Sequence, residues 1–216
     1  DRPDLIGDAM AWTVFNDGVP SSLRLYDMKA KNIEIKQTTF GYSPNTHPEL
    51  NGVIFVRYEI ENKSSNEYSS VYFSVFGDAD IGDYGNDLIG CDTIINSGYM
   101  YDNGDDNIYG NSPTFMQTII QGAPTYISGK TFTDNNSNGI YDEGIDTPLD
   151  TAKYRYGNSC DNKIFVGAKN QIMNSFMHGY KGFHYDPYPT YSSSVLRIAQ
   201  LGGKMYYSAD SIYVST

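Results

Sequence analysis

The sequence predicts an all-β protein, an antiparallel β-sandwich of jelly-roll or Ig-like type with long acidic calcium-binding loops. Three observations lead there. The dominant hydrophobic period is two, as in strands with one buried face. Short strand-sized runs alternate with turns rich in Gly, Asn, Asp and Pro. No long stretch combines a period of 3.6 with helix caps. A sandwich accommodates many short antiparallel strands of this kind, and a barrel is the alternative.

Taken in order, strands are expected at residues 10–15 and 33–40. Asn51-Gly52 then marks a turn. After it Ile54, Val56, Tyr58 and Ile60 alternate with Phe55, Arg57, Glu59 and Glu61. Val71, Phe73 and Val75 alternate in the next run, and the polar stretch "NKSSNE" between the two suggests an antiparallel hairpin. Further strands are expected at 115–121, 163–166, 171–176, 195–201, 205–207 and 211–214. No repeat and no Pro- or Ser-rich linker divides the 216 residues, so one sandwich domain is expected over 1–216. It carries an acidic loop at 77–113 and a calcium-type insertion at 131–147.

Hydrophobic residues make up 39% of the chain, enough for a core, and no apolar run approaches a membrane span. The formal charge is −11, from 26 acidic and 15 basic residues. Such a surface repels nucleic acid and anionic lipid, and no Lys/Arg cluster overrides it. Neither nucleic-acid binding nor membrane insertion is expected, and cations are the natural partners. The start, Asp1-Arg2-Pro3-Asp4, has neither the basic nor the apolar character of a signal peptide, as expected of a mature product or of a cytosolic protein. Few lysines and arginines, many Asn, Gly and Ser, and 20 tyrosines favour a secreted or cell-surface protein. In that setting Cys91 and Cys160 are candidates for one disulfide; two separate thiols are the alternative.

The insertion contains "TDNNSNGIYDEG", in which Asp134, Asn136, Asn138, Gly139, Ile140 and Asp142 match the first nine positions of the calcium loop found in EF-hands and dockerin-like modules. Alternate oxygen side chains there converge on one cation, the glycine permits a sharp turn, and the Ile140 carbonyl adds an oxygen. Position twelve is Ile145 instead of a bidentate Glu, so Glu143 or Asp146 would complete the set. The flanks are strand-like. Two amide ligands reduce the charge and imply weak affinity, with Kd on the order of 10⁻⁴ to 10⁻³ M. The alternative is a surface loop of Asx-turns without metal.

The other loop opens "GDADIGDYGNDLIGCD" and places Asp78, Asp80, Asp83, Asp87 and Asp92 among glycines. Interleaved Ile81, Leu88 and Ile89 suggest a packed segment, where carboxylates need neutralising. Oxygen ligands without His or Cys select Ca²⁺. Asp78, Asp80, Asp83 and Asp87 are the expected ligands, with Asp92 as a further candidate; a solvated acidic loop is the alternative. One or two calcium ions are expected in all. Asp102, Asp105 and Asp106 form a further acidic patch with no assigned role.

The order "GDAMAWTVFND", "IEIKQTTFGY", "GVIFVRYEIENKSSN", "VYFSVFGDADIGDYGNDLIGCDT" and "YMYDN", with the later "KNQIMNSFMHGY" and "DPYP", resembles a recurring β-rich segment of large secreted proteins of Bacteroidota and Ignavibacteria-type bacteria. Many of those proteins carry a type IX secretion sorting domain. The similarity runs over most of residues 7–190 and is most specific at Asp78, Asp80, Ile81, Gly82, Asp83, Asp87, Gly90, Cys91 and Asp92. It implies export, a β-rich fold and calcium binding, and it assigns no biochemical role. The 131–147 insertion departs from the segment.

No catalytic motif is recognisable. There is no G-x-S-x-G, no H-E-x-x-H and no phosphate loop, and the three histidines, His47, His178 and His184, sit among turns and aromatics. The expected function is therefore a calcium-stabilised extracellular or cell-surface structural protein, a subunit that associates with itself in a filament or other assembly. A carbohydrate-binding module recognising surface glycans through aromatics, such as those of "GYKGFHYDPYPTY", is the second reading. A secreted hydrolase is the third.

Overall fold

The computed structural model describes residues 5–23, 29–68, 71–75, 77, 79–83, 87–92, 94–102, 106–156, 161–173, 204–208 and 211–215. These are all-β: the described residues form antiparallel strand pairs and two 3-10 turns, without an α-helix. The chain divides into two compact units, Asp1–Ser69 with Arg155–Lys163, and Ser70–Tyr154 with Ile164–Thr216.

In the first unit, β1 (Ala9–Asn16), β2 (Ile33–Gly41) and β3 (Ile54–Asn62) form an antiparallel sheet in that order. The register runs from Ala9↔Gly41 to Asn16↔Glu34, and from Ile33↔Asn62 to Gly41↔Ile54. Alternate residues therefore fall on opposite faces, but the apolar row of β3 expected to be buried is not: Val56 and Ile60 are 46% and 48% exposed. Phe15, Ile35 and Ile60 share one row of one face, with Ala11, Thr39 and Val56 in another. The opposite face carries Val14, Lys36 and Glu59 in one row and Trp12, Thr38 and Arg57 in the next. Thr38, on the central strand, is buried. At one end Phe40 stacks on Phe55 with ring centroids 5.1 Å apart, and Tyr42 meets both edge-on. Asp8 ties the start of β1 to the β2–β3 connection, accepting hydrogen bonds from Ser43 N (2.8 Å) and Thr46 Oγ1 (2.7 Å).

The expected hairpin between β3 and residues 71–75 does not form: β3 pairs with β2, and residues 71–75 are not in a strand. The cause lies in the connection. Asn62 Oδ1 accepts from Ser64 N (2.9 Å), its amide donates to the Asn66 carbonyl (2.7 Å), and the Tyr68 hydroxyl donates to the Lys31 carbonyl (2.8 Å). These bonds turn the chain back toward the start of β2.

In the second unit, β4 (Asp87–Asp92), β5 (Ser97–Asp102) and β6 (Phe115–Thr118) form a sheet in sequence order. The 77–113 segment is thus not one long loop; it contains a hairpin, with Asp87 and Asp92 at the two ends of β4. Four short strands follow. β7 (Pro124–Tyr126) pairs with β12 (Ala168–Asn170), and β8 (Phe132–Thr133) pairs with β9 (Thr147–Pro148). The ribbons β10 (Thr151–Tyr156)–β11 (Asp161–Val166) and β13 (Lys204–Ser208)–β14 (Ser211–Ser215) complete the described strands. Residues 171–173 are not in a strand. The expected strand at 195–201 and the aromatic cluster at 179–191, with His178 and His184, lie outside the described residues. Phe132, Ala152, Ala168 and Ile81 are buried apolar side chains of this unit.

Candidate metal-binding loops

The 134–146 loop is closed at its base by β8 and β9, whose pairs Phe132↔Pro148 and Thr133↔Thr147 bring the two ends together. Phe132 is fully buried and meets Tyr141 edge-on at 5.4 Å, while Tyr141 stacks on Tyr126 at 5.4 Å. A loop residue is thereby packed into the unit. Burial, followed by the nearby charge of Glu143, pushes the Tyr141 hydroxyl pKa up, with smaller contributions from Tyr126 and Asp146.

Within the loop, polar side chains organise the backbone. Asp134 accepts from Asn138 N (3.2 Å) and Gly139 N (2.7 Å), and Asn138 Oδ1 accepts from Ile140 N (2.8 Å). Ser137 and Gly139 adopt φ of 58° and 79°, the left-handed region that glycine enters without strain. Asn136 and Asn138 each donate their amide N–H to Asp142 Oδ2, both at 2.7 Å. Asp134, Asn136, Asn138 and Asp142 are therefore in one hydrogen-bonded cluster, with Asx-type bonds from side chain to backbone inside it. Asp146 behaves differently. It is 7% exposed and accepts from Asn135 N and Asp142 N, both at 2.8 Å. That carboxylate holds the two sides of the loop together.

The donor set suits a hard cation in one respect and resists it in another. Two carboxylates, two amides and the Ile140 carbonyl are the oxygen types that Ca²⁺ takes. Both amides, however, present NH₂ to Asp142, and a cation there requires each to rotate by a half-turn, which would break the bonds their oxygens accept from Asn138 N (3.3 Å) and Ile140 N (2.8 Å). Among the described residues, no three His, Cys, Asp or Glu side chains are grouped as a metal centre.

The first acidic segment is dispersed. Asp78 lies outside the described residues. Asp92 serves the β4–β5 turn, accepting from Ile94 N (2.8 Å) and Ile95 N (3.3 Å). Asp80 and Asp83 are exposed, and Asp83 N donates to Asp106 Oδ2 at 2.7 Å. Asp87 is the stressed member. One of its oxygens accepts from Ile81 N (3.1 Å), while Oδ1 is buried with no hydrogen-bond partner among the described residues. Its cross-strand partner is Asp102. Burial first, then the charges of Asp102, Asp80 and Asp83, push its pKa up against the single backbone donor. An anion raised in this way would be relieved by a cation or a proton.

Asp106, to which the sequence assigns no role, is the best-satisfied acid of the segment. It is 5% exposed and accepts from Ile108 N (2.6 Å), Tyr109 N (2.7 Å) and Asp83 N. Burial pushes its pKa up, but the three N–H donors together outweigh that and leave it lowered. Gly82, at φ 70°, packs directly on this carboxylate, and a Cβ there would lie 2.0 Å from Asp106 Oδ2. The signal available in the sequence was the Asx-turn pattern Asp106-Asn107-Ile108. Which distant N–H would complete the cradle was not legible.

Cys91, opposite Gly98 on β4–β5, is a free thiol whose pKa is raised by burial and then by Asp92. Cys160 lies outside the described residues. No protein-family model, curated protein or solved structure matches the chain.

Proposed function

We propose that this is an exported β-sandwich protein, stabilised by calcium, that acts as a structural subunit outside the cell or at its surface. The observation that carries the reading is the 134–146 loop: four oxygen-bearing side chains at calcium-loop spacing, linked to one another and clamped by β8 and β9. Asp134, Asn136, Asn138, the Ile140 carbonyl and Asp142 would hold the ion, with Asp146 as the strut behind them. Glu143 remains a candidate for completing the set.

The second proposed site is the Asp87 neighbourhood, with Asp80 and Asp83 beside it. Its support is the raised pKa and the unpartnered buried oxygen of Asp87. Calcium bound at either loop would favour the folded state by mass action, coupling stability to the millimolar calcium found outside cells. The acidic, tyrosine-rich composition and the resemblance to secreted segments support the location. The alternating two-faced strands support the sandwich.

Thermal unfolding of the purified protein in EDTA and then in millimolar CaCl₂ tests the reading. A rise in Tm with calcium that Mg²⁺ does not reproduce is expected. Equal Tm in EDTA and calcium would remove the calcium-stabilised reading.

A further inference from the structure

Asparagine followed by glycine can lose its side-chain amide without an enzyme. Glycine has no side chain to hinder its backbone nitrogen, so that nitrogen can attack the asparagine side-chain carbonyl. The sequence holds three such pairs, Asn51-Gly52, Asn103-Gly104 and Asn138-Gly139. Asn103-Gly104 lies outside the described residues. The other two are alike in chemistry and both are exposed, so neither local sequence nor access to water separates them.

Their hydrogen bonding does. Residues 50–53 form a type II turn, with Asn51 at φ −60° and ψ 127° and Gly52 at φ 78°, closed by Val53 N donating to the Leu50 carbonyl at 3.0 Å. Among the described residues nothing bonds to the Asn51 side chain or to the Gly52 N–H. A Cβ on Gly52 would meet nothing within 4 Å. In Asn138-Gly139 both reacting groups are occupied. Gly139 N donates to Asp134 Oδ2 and Asn138 Nδ2 to Asp142 Oδ2, both at 2.7 Å, while Asn138 Oδ1 accepts from Ile140 N at 2.8 Å.

We propose that Asn51 is a site of spontaneous deamidation, and that the Asp134 carboxylate protects Asn138 from the same reaction. The step needs no redox partner. Gly52 N gives its proton to solvent base and bonds to Asn51 Cγ, while the Cγ–Nδ2 bond breaks and the amide takes up a proton and leaves as ammonia. Water then opens the five-membered ring at either carbonyl, leaving aspartate or isoaspartate at position 51. The product adds a negative charge to a chain already at −11, and the isoaspartate form lengthens the backbone of the turn that leads into β3.

Two physical effects set the contrast. The attacking nitrogen must lose its proton, and a hydrogen bond from that N–H to a carboxylate opposes the loss, because it favours the protonated form. Gly139 is held in this way and Gly52 is not. Ring closure also swings the glycine nitrogen beside the side chain, by rotation about the asparagine Cα–C bond. At ψ 127° Asn51 has yet to make that rotation, but the turn has only the Val53–Leu50 bond to give up, and Gly52 accepts either sign of φ. The same motion at Asn138 breaks three bonds, two of them to carboxylates. At the usual net worth of such bonds, the difference in rate is roughly tenfold or more.

The protection uses the chain's own hydrogen bonds and no bound ion, so the inference stands apart from the calcium reading and is tested in EDTA. The intact chain is held in mildly alkaline buffer for several days. Its proteolytic peptides are then read by mass spectrometry, with isoaspartate located by fragmentation. The peptide containing Asn51 should convert from amide to acid roughly tenfold faster, or more, than the one containing Asn138. In strong denaturant the two rates should converge, because only local sequence then acts on them.

Asp134→Ala should raise the rate at Asn138 by roughly tenfold and leave the rate at Asn51 unchanged. Asp134→Asn, which keeps an oxygen acceptor without the charge, should give an intermediate rate at Asn138. Equal rates at the two sites in the folded chain, an Asn51 that converts only in denaturant, or an Asn138 rate indifferent to Asp134→Ala would overturn the inference.

Discussion

Removing the Asp142 carboxylate separates a proposed metal ligand from a structural strut within one loop. In the Asp142→Ala variant, Asn136 and Asn138 lose a shared acceptor, but both amides are exposed and water replaces it. The penalty in EDTA should therefore stay under about 1 kcal/mol. In calcium the variant also forfeits the linkage term. For a Kd on the order of 10⁻⁴ to 10⁻³ M and about 10 mM CaCl₂, that term is about 1.4–2.7 kcal/mol, or roughly 3–10 °C in Tm for a chain of this size.

Asp146→Ala acts on the other function. Its buried carboxylate serves Asn135 N and Asp142 N, both part-buried, and losing it costs about 1–3 kcal/mol in all whether or not calcium is present. Differential scanning calorimetry in EDTA and in calcium reads both. Asp142→Ala should keep the EDTA Tm and lose the calcium shift, while Asp146→Ala should be lowered in both buffers. If Asp142→Ala shifts with calcium as the wild type does, the loop is not the site, and the reasoning from ligand spacing is refuted.

Asp87→Asn keeps the shape and removes a carboxylate set against Asp102, so in EDTA its Tm should rise by about 0.5–3 °C; a fall would show that the charge is compensated. Gly82→Ala drives a methyl group into Asp106 at positive φ and should lower Tm by roughly 4–8 °C, whereas Gly52→Ala, at φ 78° in open space, should lose only about half as much. Acid titration of Tm should distinguish Asp87 from Asp106 by sign. Asp106, held below the usual carboxylate range, contributes stability that is complete above that range and lost as pH falls through its lowered value, so Asp106→Asn should flatten the acid limb. Asp87, raised above that range, is relieved as pH falls, so Asp87→Asn should steepen the limb; matching slopes for the two variants would contradict the assignment.

Local chemistry made much of this molecule legible. Strand-forming runs placed β1, β2 and β3, but not which face is covered: Val56 and Ile60, on the apolar row, are 46% and 48% exposed. The spacing of Asp134, Asn136, Asn138 and Asp142 drew attention to a loop whose side chains bond to one another, because those contacts span at most six residues. What failed were choices between distant partners. β3 reads as pairing forward with residues 71–75, but those residues form no strand, and the chain after β3 bonds back to Lys31 through Tyr68. Asp87 and Asp92 read as loop residues because acids and glycines mask strand periodicity; pairing with β5 makes them strand ends and sets Asp87 against Asp102. Asp106 and Asp146 acquire their roles from N–H groups up to 23 residues away. The sequence by itself thus determined the strand-forming character and the oxygen-rich loops, since both follow from short-range periodicity. Only tertiary structure decided which acids are satisfied and which one is left under strain, because that depends on the donors and charges that long-range pairing brings beside them.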